Sequence, residues 1–89
     1  MKGCYFEITY RDGRALAAYL YLPRQAGDTS ARTVRAAHGL LVDWSADGRP
    51  IGIEILSPAR LKLEHLNEVL ASLALQPLAA RDLPPTVAA

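Results

Sequence analysis

Residues 39–58 decide the fold, and they read Gly39-Leu-Leu-Val-Asp-Trp-Ser-Ala-Asp-Gly-Arg-Pro-Ile-Gly-Ile-Glu-Ile-Leu-Ser-Pro58. Apolar residues alternate before and after the Asp47-Gly48 pair, which is the period of two β-strands joined in one hairpin. Opposed residues of an antiparallel pair share a face, so the aliphatic residues of both strands are predicted to meet on one buried face across a four-residue loop. The predicted loop is Ser45 to Gly48, and the predicted pairs are Trp44 with Arg49, Val42 with Ile51 and Leu40 with Ile53.

A second hairpin lies upstream, where residues 4–10 and 15–22 both alternate. The Arg11-Asp12-Gly13-Arg14 segment supplies turn chemistry, since Gly accepts a positive φ without steric cost. After it, Ala31 to Ala37 is predicted to form a short edge strand, whose Arg32 and Arg35 discourage pairing with other sheet edges.

Two registers are open to the first hairpin. A two-residue Asp12-Gly13 turn would place Phe6 and Ile8 on the face that carries Tyr19 and Ala17. A three-residue loop, Asp12 to Arg14, is favoured here because it collects the aliphatic residues on one face and turns the tyrosines away. It pairs Ile8 with Ala18 and Phe6 with Leu20, and its aliphatic set is Leu16, Ala18, Leu20 and Leu22.

One helix is predicted to cover the sheet. Ser57-Pro58 is a typical helix start, and the periodic pattern runs to about Leu75. Its apolar stripe consists of Leu63, Leu66, Val69, Leu70 and Leu73. Prolines at 77, 84 and 85 argue against regular structure beyond Gln76. We therefore predict an α+β fold, an antiparallel four- or five-stranded meander-like sheet with one C-terminal helix on one face, in a single domain over residues 1–75 with a flexible tail at 76–89.

Three segments carry a family resemblance: Tyr19-Leu-Tyr-Leu22, Gly39-Leu-Leu-Val-Asp43 and Gly48-Arg-Pro-Ile-Gly-Ile-Glu-Ile-Leu56. They resemble the domain of unknown function 2283 family of small prokaryotic proteins over roughly Phe6 to Leu61, with Gly-Ile-Glu-Ile-Leu as the most specific part. Arg14 and Leu16 stand where that family usually carries acidic residues. The resemblance implies a meander-like sheet packed on a C-terminal helix, no established activity, and an antitoxin-type binding role as one option.

Composition excludes several classes of function. The chain has 89 residues, a formal net charge of +1 and scattered Lys and Arg, which argues against nucleic-acid binding. Its single cysteine, Cys4, has no intramolecular disulfide partner and is expected to be buried or half-buried, so a reducing cytoplasm is the predicted location. No segment approaches the apolar length that a bilayer requires, and no cofactor is predicted.

The polar residues give weak functional candidates only. Asp43 and Glu54 lie on the face opposite the isoleucines, and the register above separates them along the ladder, so we expect solvated carboxylates. Cys4, His38 and His65 are scattered singly and lack the spacing of metal ligands. His38 stands out because it precedes Gly39 near a strand end. No catalytic, cofactor-binding or metal-binding residue is predicted, and His38, Asp43 and Glu54 are the weak candidates.

The tyrosines form a stronger pattern. In the favoured register Tyr5, Tyr19 and Tyr21 line the sheet face that the helix does not cover, and Leu41 and Leu56 join them. These five residues are named the tyrosine face below. Such a surface is typical of a protein interface, and the alternative is a cross-strand stack within a monomer.

Three functions are carried forward from the sequence. The first is a non-enzymatic interaction module that forms a homodimer through the tyrosine face. The second is an antitoxin-like regulator that binds a small partner protein, with the tail ordering on contact. The third is a small metal-binding or enzymatic domain that uses His38, Asp43 or Glu54.

Overall fold

A computed structural model describes residues 3–85 and 87 of the chain, and it has the predicted α+β architecture. The five strands are β1 (Tyr5–Arg11), β2 (Arg14–Tyr21), β3 (Arg32–Arg35), β4 (Leu41–Trp44) and β5 (Pro50–Ile55), and the helix is α1 (Leu63–Ser72). The strands form one antiparallel sheet in the order β1-β2-β5-β4-β3. The β1-β2 hairpin and the β3-β4-β5 meander therefore join through β2 and β5.

The register favoured for the first hairpin is confirmed, but its loop is different. Phe6 opposes Leu20 and Ile8 opposes Ala18, while the turn has two residues, Asp12 and Gly13. Both turn residues have positive φ, 51° and 76°, as a type I′ turn requires. Thr9 opposes Ala17 and Tyr10 opposes Ala15, so Leu16 is the extra residue of a β-bulge. The bulge produces the one-residue change of register that the predicted three-residue loop would have produced. It also leaves Leu16 exposed, so this residue does not belong to the buried aliphatic set.

The predicted register of the second hairpin is wrong by two residues at Val42. This residue opposes Ile53 instead of Ile51, and Asp43 opposes Gly52. Trp44 opposes Pro50, so Ile51 is the extra residue of a bulge on β5. The Ser45 to Gly48 turn itself is present, closed by a hydrogen bond from the Gly48 N–H to the Ser45 carbonyl. A shift of two keeps every side chain on its predicted face, so the core set survives the error.

The core lies between the sheet and α1, as the alternation predicts. The predicted helix stripe contributes Leu66, Val69 and Leu70, which are fully or almost fully buried. Leu63 and Leu73 are partly buried against the same cluster. The sheet contributes the aliphatic residues of β2, β4 and β5 and the residues next to them: Ala18, Leu20, Leu22, Leu40, Val42, Ile51, Ile53 and Ile55.

The helix is shorter than predicted at both ends. Pro58–Arg60 forms a separate 3-10 turn, and Lys62 is extended before α1 begins at Leu63. The Ser57 side chain makes no capping hydrogen bond, so the Ser-Pro pattern starts the 3-10 turn and not the α-helix. At the other end Ala74 has a φ of 60°, and the Leu75 N–H donates to the Leu70 carbonyl. This left-handed closure ends the helix before Leu75.

The segment from Gln76 onward has little regular structure, as expected, but several of its side chains pack on the domain. Leu78 is 5% exposed and Val87 is 3% exposed, and both belong to the core cluster. Ala80–Asp82 forms a 3-10 turn. The predicted boundary at residue 75 therefore does not mark the end of the core. The tail prediction for residues 86, 88 and 89 lies outside the described residues. Within the described part of the chain, no helix is long and apolar enough to cross a membrane.

Candidate functional site

The tyrosine face lies on the side of the sheet opposite α1, as predicted. The rings of Tyr5 and Tyr21 stack with their centroids 4.4 Å apart and their planes at 9°. The Tyr19 ring meets Tyr21 edge-on at 4.7 Å. Tyr5 is 59% exposed and Leu56 is 58% exposed. The face thus contains the cross-strand stack, and it also leaves apolar surface of Tyr5 and Leu56 open to solvent.

A buried carboxylate lies under one end of this face. Asp43 is only 6% exposed, so the expectation of a solvated side chain is wrong. The Tyr19 hydroxyl donates to Asp43 Oδ2 at 2.7 Å, and the Thr33 hydroxyl donates to Asp43 Oδ1 at 2.5 Å. Burial and the Asp43 carboxylate raise the pKa of Tyr19 well above its ordinary value. A buried carboxylate is stable only when such donors replace its hydration.

Gly52 makes the long reach of Tyr19 possible. Tyr19 lies on β2 and Asp43 on β4, so the ring has to cross β5 to make the hydrogen bond. It does so directly over Gly52, where a Cβ would stand 1.8 Å from the Tyr19 hydroxyl oxygen. The Arg24 guanidinium contacts the same end of the ring, donating to the Tyr19 hydroxyl at 3.1 Å and to the Ile51 carbonyl at 2.9 Å.

Glu54 joins this network, although the predicted register had separated it from Asp43. Leu41 opposes Glu54 and the neighbouring pair is Asp43 with Gly52, so the two carboxyl groups are diagonal neighbours. A hydrogen bond with Asp43, burial and the Asp43 charge raise the pKa of Glu54. Two carboxyl groups share a hydrogen bond only when one of them carries a proton, and the raised pKa favours Glu54 as that donor. The set Asp43, Tyr19, Thr33, Glu54 and Arg24 is named the Asp43 network.

We expect Glu54→Gln to stabilise the protein at neutral pH. The folded-state pKa of Glu54 lies above its ordinary value of 4.5, so the native state binds the proton more tightly than the unfolded state. The contribution of this group to stability is therefore present below pH 4.5 and is lost as pH rises through the raised pKa. A glutamine donates to Asp43 at every pH, and the gain should be about 1 kcal/mol at pH 7.

Urea unfolding at pH 4 and pH 7 measures this effect, and the expected gain is confined to pH 7. Glu64→Gln, at an exposed position of α1, is the matched control. An equal change at both pH values, or a loss at pH 7, would contradict a proton held by Glu54.

The structure brings His38 and His65 together, a contact that their spacing along the chain does not predict. Their rings stack at 3.7 Å between centroids and 2° between planes, and Nε2 of His38 contacts the Glu68 carboxylate. Parallel rings do not aim two nitrogen lone pairs at one ion, as tetrahedral coordination requires. No group of three His, Cys, Asp or Glu among residues 3–85 and 87 is arranged to hold a metal ion. His38 lies at α1, so it shares no site with Asp43 and Glu54 on the other face.

Two further polar features are structural. Arg49 donates to both carboxylate oxygens of Asp28, at 2.9 Å and 2.8 Å, and also to Asp47. The Arg49 hydrogen bonds lower the pKa of Asp28 to about 2 and also lower that of Asp47. These contacts tie the loop after β2 to the second hairpin. The Cys4 thiol is half-buried, and burial raises its pKa, which disfavours the reactive thiolate.

Comparison with protein-family models, with curated proteins and with solved structures found no match for this chain. The resemblance to the domain of unknown function 2283 family therefore stays a prediction. The class of protein that the geometry defines is a small α+β domain with one covered and one uncovered sheet face.

Proposed function

We propose that this protein is a non-enzymatic interaction module that forms a symmetric homodimer through its tyrosine face. The observation that carries the proposal is the exposed area around the stacked Tyr5 and Tyr21 rings and Leu56. Exposed aromatic area of this kind is enriched at protein interfaces, because Tyr combines apolar surface with a polar tip and loses little entropy on ordering.

The charges across the face favour a second copy as the partner. One row of opposed residues crosses the whole sheet, with Glu7 on β1 at one edge and Arg35 on β3 at the other. The residues between them, in order, are Tyr19, Glu54 and Leu41. In this arrangement the tyrosine faces of two copies face each other, and a two-fold axis runs between them, parallel to the strands. The axis places β1 of one copy over β3 of the other. Glu7 then meets the cation Arg35 of the second copy, and Tyr19 meets Leu41.

The middle residue of the row, Glu54, meets its own copy near this axis. Two ionised carboxylates there would repel each other, but the hydrogen bond with Asp43 raises the Glu54 pKa and reduces that repulsion. Arg35 has no ion-pair partner among the described residues, so it is available for Glu7 of a second copy. The Asp43 network supports the proposal by fixing the Tyr19 ring before association, which lowers the entropy cost of binding.

Tyr5→Glu is expected to weaken dimerisation at least tenfold without unfolding the domain, because it replaces the exposed ring of the Tyr5-Tyr21 stack with a charge. Sedimentation equilibrium over micromolar to millimolar protein measures the association, and circular dichroism checks the fold. Tyr10→Glu is the matched control, since Tyr10 is also exposed on β1 and lies beyond the bulge. Tyr19 is less suitable for this test, because its substitution also removes a donor from Asp43.

A charge exchange tests the orientation of the two copies. Arg35→Glu alone should weaken the dimer, and Arg35→Glu combined with Glu7→Arg should restore it. A wild-type protein that is monomeric at millimolar concentration would refute the proposal. A dimer that tolerates Tyr5→Glu but not Tyr10→Glu would place the interface elsewhere.

A further inference from the structure

A small cavity lies on the helix side of the sheet, apart from the tyrosine face except at Leu56. Its volume is about 290 Å³, and it is bounded by the His38-Gly39 turn, the end of β5 and the approach to α1. The floor is apolar and the rim is polar. The apolar lining residues, called the floor, are Leu40, Ile55, Leu61 and part of Leu56, and the polar ones, called the rim, are His38, Ser57, Arg60, Lys62 and His65. This rim and floor are named the histidine pocket.

The rim carries positive charge that no carboxylate neutralises. Arg60 and Lys62 make no side-chain hydrogen bond or ion pair with any described residue. No Asp or Glu lines the cavity, and the nearby Glu68 carboxylate is engaged by His38. Two cations held at the mouth of a small concave site attract anions more strongly than the same cations on a flat surface.

Two further polar groups of the rim, the Ser57 hydroxyl and the His65 ring nitrogens, have no hydrogen-bond partner among the described residues. The Ser57 hydroxyl forms no capping hydrogen bond, although the Ser-Pro pattern is typical of a helix start. The His65 ring stacks on His38 but has no hydrogen-bond partner among the described side chains. The His38 backbone is left-handed, with φ 60° and ψ 27°. Such conformations cluster at ligand sites.

We propose that the histidine pocket binds a small phosphate monoester. Arg60 and Lys62 contact the phosphate oxygens, the Ser57 hydroxyl and a His65 N–H donate to them, and the organic group lies on the apolar floor. A phosphate offers three terminal oxygens and up to two charges, which suits two cations with two additional donors better than a carboxylate does. The volume is at the lower end for ligand pockets, so the organic group has to be small.

Titration of ¹⁵N-labelled protein with phenyl phosphate, followed by two-dimensional NMR, tests the site. We expect saturable shifts confined to residues 38–40 and 55–65. Phenyl phosphate should bind more tightly than inorganic phosphate, which lacks a group for the floor. Benzoate, which has the same ring and a carboxylate, should bind at least tenfold more weakly than phenyl phosphate.

The double variant Arg60→Gln with Lys62→Gln should lose at least tenfold in affinity for phenyl phosphate. Both positions are exposed, so the fold should be retained. Arg11→Gln with Arg14→Gln makes the same change in net charge at the β1-β2 turn and should bind as the wild type does. Equal losses in the two double variants, or shifts that never saturate, would overturn the proposal. Benzoate binding as tightly as phenyl phosphate would refute a phosphate ligand.

Discussion

Gly52→Ala is expected to lower the free energy of unfolding by about 2–4 kcal/mol, which corresponds to a fall in Tm of roughly 10–25 °C for a domain of this size. Strand propensity alone predicts the opposite effect, a rise in the free energy of unfolding. Gly52 lies inside a strand and has no positive φ, so alanine alone would stabilise it by reducing the entropy of the unfolded chain. The loss must therefore come from the contact above it.

That contact is the Tyr19 ring. A Cβ on Gly52 would stand 1.8 Å from the hydroxyl oxygen, 2.2 Å from Cζ and 2.5 Å from Cε2 of Tyr19. These distances are too short for any small adjustment, so the ring has to leave. Its departure removes the 2.7 Å hydrogen bond to Asp43 and leaves that buried side chain with one donor fewer. A hydrogen bond to a charged group contributes about 1.5–3 kcal/mol, and the displaced ring adds a packing cost.

A double-mutant cycle separates this contact from other effects. In a Tyr19→Ala background the clash is absent, so Gly52→Ala should be neutral or slightly stabilising, and the coupling between the two positions should reach about 2 kcal/mol or more. Urea unfolding of the four proteins gives the coupling directly. Additive effects of the two substitutions would show that Tyr19 does not lie over Gly52.

The faces of the strands could be predicted from the sequence, whereas the strand pairing could be predicted only in part. The inward or outward direction of a side chain depends on a period of two, and a shift of two residues preserves it. For that reason Val42, Ile53 and Ile55 were correctly placed in the core even though the register of the second hairpin was wrong. Bulges at Leu16 and Ile51 caused the differences, and no residue pattern on either strand marks them.

The Asp43 network depends on that register, so its geometry could not follow from the alternation. One signal was nevertheless present, because a glycine inside a strand often marks a place where another group approaches closely. Applied to Gly52, it would have indicated a neighbouring side chain lying over β5. The His38 and His65 pair carried no comparable signal, since the two residues are 27 positions apart and meet only through the packing of α1 on the sheet.

Asn67→Ala is expected to destabilise the protein by about 2–3 kcal/mol and to release the segment from Gln76 onward. Helix propensity alone predicts the opposite effect, a gain in stability, because alanine is a better helix former than asparagine at an internal position of α1. Asn67 donates from Nδ2 to the Leu78 carbonyl at 3.0 Å, and its Oδ1 accepts from the Leu78 N–H at 2.8 Å. One side chain thereby satisfies both backbone groups of a residue that is only 5% exposed.

Removal of the amide leaves a buried donor and a buried acceptor without partners, and each costs about 1–3 kcal/mol unless water reaches it. The cheaper response is detachment of the segment, which exposes Leu78 and Leu83 and loses their burial against α1 and the sheet. Hydrogen exchange distinguishes a weakened attachment from a global loss. The Leu78 amide should exchange much faster in the variant, while the amides of β5 change only with the overall stability.

Gln76→Ala provides the control, because Gln76 is an exposed residue of the same segment and should leave stability nearly unchanged. A segment that was flexible in the native protein would respond differently in every measurement. Asn67→Ala would then stabilise the helix by a few tenths of a kcal/mol, and the Leu78 amide would exchange rapidly in both the wild type and the variant. The sign of one free-energy change therefore decides whether residues beyond Gln76 belong to the folded domain, and with it whether the core of this protein ends at α1.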